Sequence, residues 1–373
     1  MIQTTVAAPQ AIRVSPASAA DRAVKRRRVL DILDASGHDS LLLTTHTALT
    51  WYLDGSRVHI SLAGDPIAAV LVDRSGDHLV TFNNEAGRMA AEELPEGVSL
   101  HSVPWYGNLH EAAAAIGMDS ATKDRRPLAE AEVAAGLRAA RQQLLPAESE
   151  RYARLSAELA AIMTDVLSAA RPDTTEFELA SALAGRVVGA GAEPLVLLCN
   201  GSSRSAFRHP LATHAPLGRR AMAVVCARRD GLVANITRWV RFDAGTPEEL
   251  DAEARIAAVE ADIFDATVPG VRLDSIFGEI KASYARHGFG DAQWEQHHQG
   301  GPAGYAGRDP RVTAAATDTV VQGQSFTWNP SGPGVKIEDT VQLTASGLQI
   351  LTVDERWPTA TVNGLERPVT LEL

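Results

Sequence analysis

A chain of 373 residues, 45% hydrophobic and 22% charged, has ample apolar material for two domains or one large one. A formal net charge of −11 speaks against nucleic acid as a partner, which needs a basic footprint. No apolar run approaches a membrane span, and two cysteines, Cys199 and Cys226, cannot build a disulfide framework, so a reducing cytoplasm fits.

The opening segment MIQTTVAAPQ has neither a basic nor an apolar leader region, so no secretory signal is expected. An amphipathic helix is predicted from Asp21 to a terminating Gly37. The basic run Lys25 to Arg28 falls inside it and reads as a solvated helix face rather than a binding patch. SLLLTT, IAAVLVD and DHLVTF then read as strands between polar turns, and EAGRMAAEEL as a helix. Together these make a small α/β domain with a natural boundary at Leu145-Pro146-Ala147, giving domains 1–146 and 147–373.

Beyond the boundary a long helix is predicted from Glu148 to about Arg171, stopped by Pro172-Asp173. Thr175 with Glu178, and Thr246 with Glu249, are capping boxes that start two further helices, the second carrying proline at its first position. Another helix is expected from Asp274 to about His287. Pro194 to Asn200, Ala221 to Cys226 and Leu232 to Phe242 are β-leaning runs, and strands after Phe326 close the chain. Cys226 ends an apolar run, so it reads as a buried structural thiol or as a neighbour of a site. No solenoid repeat, G-x-S-x-G elbow, P-loop or C-x-x-C is present.

The chemistry-bearing stretch is GVKIEDTVQLT, Gly334 to Thr344. Its alternation sends Glu338 into a sheet interior, where an uncompensated carboxylate is expensive. What compensates Glu338 therefore decides much about function. Four segments now line up in order: V-A-N-I-T-R-W, H-H-Q-G-G-P-A-G, F-T-W-N-P and V-K-I-E-D-T. Across roughly residues 150 to 360 the chain resembles the creatinase, aminopeptidase P and methionine aminopeptidase superfamily, whose counterparts are S-D-I-T-R-T, H-x-x-G-H-x-x-G, F-T-I-E-P and V-R-I-E-D-T. The resemblance implies an α+β protein: a C-terminal pita-bread fold, a curved antiparallel sheet flanked by helices, and a smaller N-terminal creatinase-like α/β domain.

The metal-dependent members hold two divalent ions with two aspartates, a histidine and two glutamates. Counted along this chain, those positions are Val224, Asn235, Gly301, Asn329 and Glu338. Valine and glycine offer no side-chain donor and asparagine is a weak neutral one, so no metal and no other cofactor is expected. The resemblance, nearest to metal-free creatinase, implies His209 as general acid/base, Glu338 as its charge partner and His297 in contact with substrate or a developing oxyanion. Arg308 would anchor a substrate carboxylate in bidentate fashion. Glu338 alternatively forms a structural ion pair with an arginine such as Arg238.

Asn235 and Asn329 are candidate substrate contacts, or they satisfy each other. His214 is a second site member or a surface group. Gly300-Gly301 would widen the pocket left by the ions. In TWYLDGSRVH, Trp51, Arg57 and His59 match the family segment that reaches a neighbouring subunit's site, which implies a homodimer. The expected activity is metal-independent hydrolysis of a C–N bond, amide, guanidino or peptide-like, in a small molecule or short peptide. The alternatives are an Xaa-Pro aminopeptidase or dipeptidase, and a non-catalytic binding protein.

Overall fold

The computed structural model describes residues 3–4, 17–118 and 126–373, which form two compact units, residues 1–141 and 142–373. The N-terminal segment read for a leader lies outside the described residues except for Gln3–Thr4. The units part at Arg141, a few residues before the expected boundary. Pro146 does not sit in a linker: it opens the helix Pro146–Ser168, where its missing N–H costs no hydrogen bond.

The first unit is a six-stranded mixed sheet in the order Gln3–Thr4, Val98–Val103, Asp77–Phe82, Ala68–Asp73, Ser40–Leu43, Leu128–Ala129. Its first helix, Ala19–Ser36, is capped by Ser18 and closed by Gly37 at φ 65°, the left-handed conformation that glycine adopts without strain. The basic run on this helix is solvated only in part, with Arg27 exposed, where a wholly solvated face was expected. Lys25 is wholly buried against Asp54 at 2.6 Å, and Arg26 pairs with Asp77. Asp54, in the turn after the helix His46–Tyr52, and Asp77, at the start of its strand, capture these cations, which sequence alone could not locate. The Ala-rich helix Leu109–Met118 was not anticipated; Leu109 and Ala113 pack on Ala69, Val80 and Val103.

The second unit holds the long helix Pro146–Ser168 and the helix Glu176–Gly189, whose predicted Thr175–Glu178 capping box is formed. One four-stranded sheet runs Leu371–Glu372, Leu232–Arg241, Arg220–Arg229, Glu193–Asn200. A second runs Gly300–Ala303, Ser325–Trp328, Asp339–Thr344, Gly347–Ile350. An antiparallel bridge between Thr237 and Glu338 joins the two, with the Thr237 N–H donating to the Glu338 carbonyl at 3.0 Å. The helices Pro247–Ala266 and Leu273–Arg286 pack an apolar core that includes Ile263, Ile276, Phe326, Trp328 and Val341. Among the described residues no helix is long and apolar enough to cross a membrane.

Candidate functional site

Strand alternation builds one wall of a cavity of about 600 Å³ in the second unit. On the strand Leu232–Arg241, Val233 and Asn235 face it; across the ladder so do Val224 and Cys226, the latter paired in register with Asn235. Asn329 follows the strand Ser325–Trp328, Glu338 precedes the strand Asp339–Thr344, and Lys336 ends the short strand Val335–Lys336, while His209, His297, His298, Arg308 and Arg311 come from the loops. A larger cavity of about 870 Å³ in the same unit is lined by Arg220, Arg238, Arg241 and Arg367. Their guanidinium groups are paired with Glu253, Asp339 and Glu260, and no histidine lines it.

Glu338 is 2% exposed, and both its oxygens are taken. Oε1 accepts from Arg308 Nη2 at 2.8 Å, and Oε2 from Lys336 Nζ at 2.6 Å and Thr237 Oγ1 at 2.8 Å. Burial alone would push this carboxyl's pKa up; Lys336 and Arg308 outweigh burial and hold it well below the usual carboxylate range. Two expectations are corrected here. The arginine partner is Arg308 rather than Arg238, which pairs with Asp339 at 2.8 Å, and Arg308 spends part of its fork on the protein's own carboxylate. Nor does Glu338 hydrogen-bond His209. Burial and then Lys336 lower the His209 pKa, and the opposing pull of Glu338 is too weak to raise it.

His209 instead meets His297, Nε2 to Nε2, at 3.0 Å. The His297 and His298 rings stack with centroids 4.4 Å apart. Burial, followed by Lys336, lowers the His297 pKa to about 3. Burial, followed by Arg308 and Arg311, lowers that of His298 to about 4. Both imidazoles are therefore neutral at pH 7, each with a lone pair to offer. Nδ1 of His297 and Nδ1 of His298 are buried without a hydrogen-bond partner. His209, His297 and His298 can present one nitrogen each with all three within 4.8 Å of one another.

The aligned metal positions fail as a dinuclear site in three dimensions as well as by residue type. Val224 and Gly301 carry no donor, and the Glu338 oxygens already hold two cations of the protein. Asn235 Nδ2 donates to Val233 O and Thr327 Oγ1, both at 3.2 Å, while Asn329 Oδ1 is buried and unpartnered. The two amides do not satisfy each other. The glycines do not widen the cavity either: Gly301 has φ 144° and a Cβ there would lie 2.5 Å from the Pro310 carbonyl oxygen. Close backbone approach, not pocket volume, requires glycine at this position.

His214 does not line this cavity, and the other candidates belong to the first unit. His214 is exposed and sits edge-on to Phe177 at 4.8 Å. In the first unit Trp51 is wholly buried on the helix His46–Tyr52, in the core of that unit. Arg57 is paired with Glu93 and Glu92 at 2.6 and 3.1 Å, and His59 is buried edge-on to His46. Sequence reading missed Lys336 and Arg311. Lys336 was legible: two residues before Glu338 in the same extended segment, it shares its face. Cys226 lines the cavity, but burial and then Glu338 push its thiol up to about 12, so it is no nucleophile.

The profile of metallopeptidase family M24 matches residues 150–345. No curated protein matches the sequence. The fold is similar to dipeptidase PepE from Mycobacterium ulcerans, at 17% identity and a TM-score of 0.75 over 95% of this chain and 99% of that one. It is similar to the prolidase from Pyrococcus horikoshii OT3, at 18% identity and a TM-score of 0.72 over 89% and 99%. The N-terminal domain of FACT complex subunit SPT16 from Cicer arietinum shares it at 14% identity and a TM-score of 0.63 over 89% and 95%.

Proposed function

The chain belongs to metallopeptidase family M24 and has the pita-bread fold, and from that premise we propose that it is a peptidase acting on short peptides of the Xaa-Pro dipeptide class. The expected metal-independent hydrolase of a general C–N bond is corrected by the family match and by structural neighbours named as prolidases and an Xaa-Pro dipeptidase. The observation that carries the proposal is the charge of the cavity. Three cations, Arg308, Arg311 and Lys336, face one carboxylate, Glu338, in about 600 Å³. That excess suits the terminal carboxylate of a short peptide. His209, exposed at the cavity and neutral at pH 7, is the group available to take up a proton from the reacting centre.

The test is a panel of Xaa-Pro dipeptides incubated with the full chain and added manganese, cobalt or zinc, with free proline read by mass spectrometry. Proline release above an enzyme-free control is expected, and none from any dipeptide under any ion overturns the reading. A second reading, peptide binding without turnover, is favoured by one observation. Four of the five aligned positions, Val224, Asn235, Gly301 and Asn329, lack the family's ligand. Calorimetric binding of the same dipeptides with no product formed would establish it. A homodimer belongs to the proposal, supported by the resemblance of residues 50–59 to a subunit-bridging segment; light scattering that reports a monomer removes it.

A further inference from the structure

We propose that His209, His297 and His298 form a mononuclear site for a borderline divalent ion, Zn²⁺ or Co²⁺, at a place other than the family's dinuclear centre. The three residues come from two separate loops, yet their nitrogens converge within 4.8 Å. Zinc holds imidazole nitrogen at about 2.0–2.1 Å, so two nitrogens on a tetrahedral ion stand about 3.3 Å apart. His209 Nε2 and His297 Nε2 are already at 3.0 Å, so a small ring movement opens the position between them. Two neutral imidazoles that face each other by nitrogen share a single proton, whereas an ion between them uses both lone pairs.

His297 is 9% exposed, the Nδ1 atoms of His297 and His298 are buried without a hydrogen-bond partner, and a His298 nitrogen completes the converging set of three. Adjacent residues on extended backbone ordinarily point to opposite faces. Here the backbone at His297 is extended, at φ −160° and ψ 149°, yet both rings stack on the same cavity. An all-imidazole donor set selects Zn²⁺, Co²⁺ and their neighbours over Mg²⁺, Ca²⁺ and Mn²⁺, which prefer oxygen. Three protein ligands leave a fourth position open toward the cavity.

The surrounding charge adds a condition. Arg308, Arg311 and Lys336 outnumber Glu338, so a dication entering here raises an already positive field. An anionic oxygen in the open position offsets that field, and metal and carboxylate should therefore bind cooperatively. The site stands on its own geometry; its use in peptide cleavage rests on the peptidase reading above.

The experiment titrates the chelator-stripped full chain with Zn²⁺ by calorimetry and with Co²⁺ by visible absorption, without peptide. One equivalent per chain is expected, with the visible bands of a low-coordinate cobalt site, and acetate should tighten Zn²⁺ binding at least about fivefold. Even outer-shell changes cost about 10- to 100-fold in metal affinity, so His209→Ala and His298→Ala should each cost at least about 100-fold. His209 lies on an exposed loop, so its variant should fold, and the surface variant His214→Ala should bind as the parent does. Absence of binding, two equivalents, or undiminished binding by the His209→Ala/His298→Ala double variant overturns the proposal. Metal bound with no peptide cleaved removes the peptidase reading and leaves this site standing; peptide cleaved by a chain that binds no metal does the reverse.

Discussion

The two ends of the cavity are built on opposite principles. At one end Glu338, Lys336, Arg308 and Thr237 satisfy one another within 2.6–2.8 Å, leaving neither carboxylate oxygen for an incoming ion. At the other end three imidazoles crowd together with two buried nitrogens unpaired. A closed charge network fixes geometry and resists new ligands, while an unsatisfied cluster of neutral donors invites them. The carboxylate kept from the family's set is therefore paired within the protein, and the unpartnered nitrogens lie at the histidine end.

The largest expected effect breaks the histidine end. With a cleavable dipeptide in hand, His209→Ala should lower turnover by about a hundred- to ten-thousand-fold, through loss of the proton acceptor in the metal-free chain or of a ligand in the metal-loaded one. Steady-state kinetics check this, and a change of less than about threefold would leave His209 outside the reaction.

Next comes the carboxylate end. Glu338→Gln keeps the volume but strands Lys336 and Arg308, and should cost about 3–5 kcal/mol in urea unfolding. The sign of its pH dependence follows from the depressed pKa. The stabilisation is present above the unfolded value near ~4.3 and is lost as pH falls below it toward the folded one, so the parent should acid-unfold along a slope the variant lacks.

A smaller effect separates the ends by pH. His297 has a folded pKa of about 3 against an unfolded value near ~6.5, so the folded state stays neutral while the unfolded chain takes up a proton. Its contribution is complete above pH ~6.5 and erodes as pH falls toward ~3, by on the order of 1–2 kcal/mol at pH ~5 in metal-free protein. His297→Gln should flatten the difference between urea melts at those two pH values. If both proteins lose stability in parallel, burial of His297 is not the cause. The smallest effect is His214→Ala, which should leave turnover unchanged and move stability by no more than about 0.5 kcal/mol, as for other exposed positions.

The site was partly legible before any coordinates. Gly301, Val224 and Asn329 announce the lost ligands by residue type, and Lys336 could have been found from its two-residue spacing to Glu338. His209 with His297 was expected to share a site, but their direct contact was not, because a separation of 88 positions carries no local signal. Trp51 carries the complementary lesson: a motif string gives residue type but not burial, and Trp51 lies in the core of its unit.

By itself the sequence determined what is local in origin. The Thr175–Glu178 and Thr246–Glu249 capping boxes, the glycine stop at Gly37 and the strand alternation around Asn235 and Glu338 depend on neighbours within a few residues, so short-range sterics and hydrogen bonding settle them. Four ordered segments likewise determined the family. Only the tertiary structure decided which charges meet: Lys25 with Asp54, Arg308 with Glu338, and His209 with His297. Each pairing joins segments 29 to 88 residues apart, and its strength depends on burial and on every other charge nearby, quantities that exist only once the chain has closed on itself.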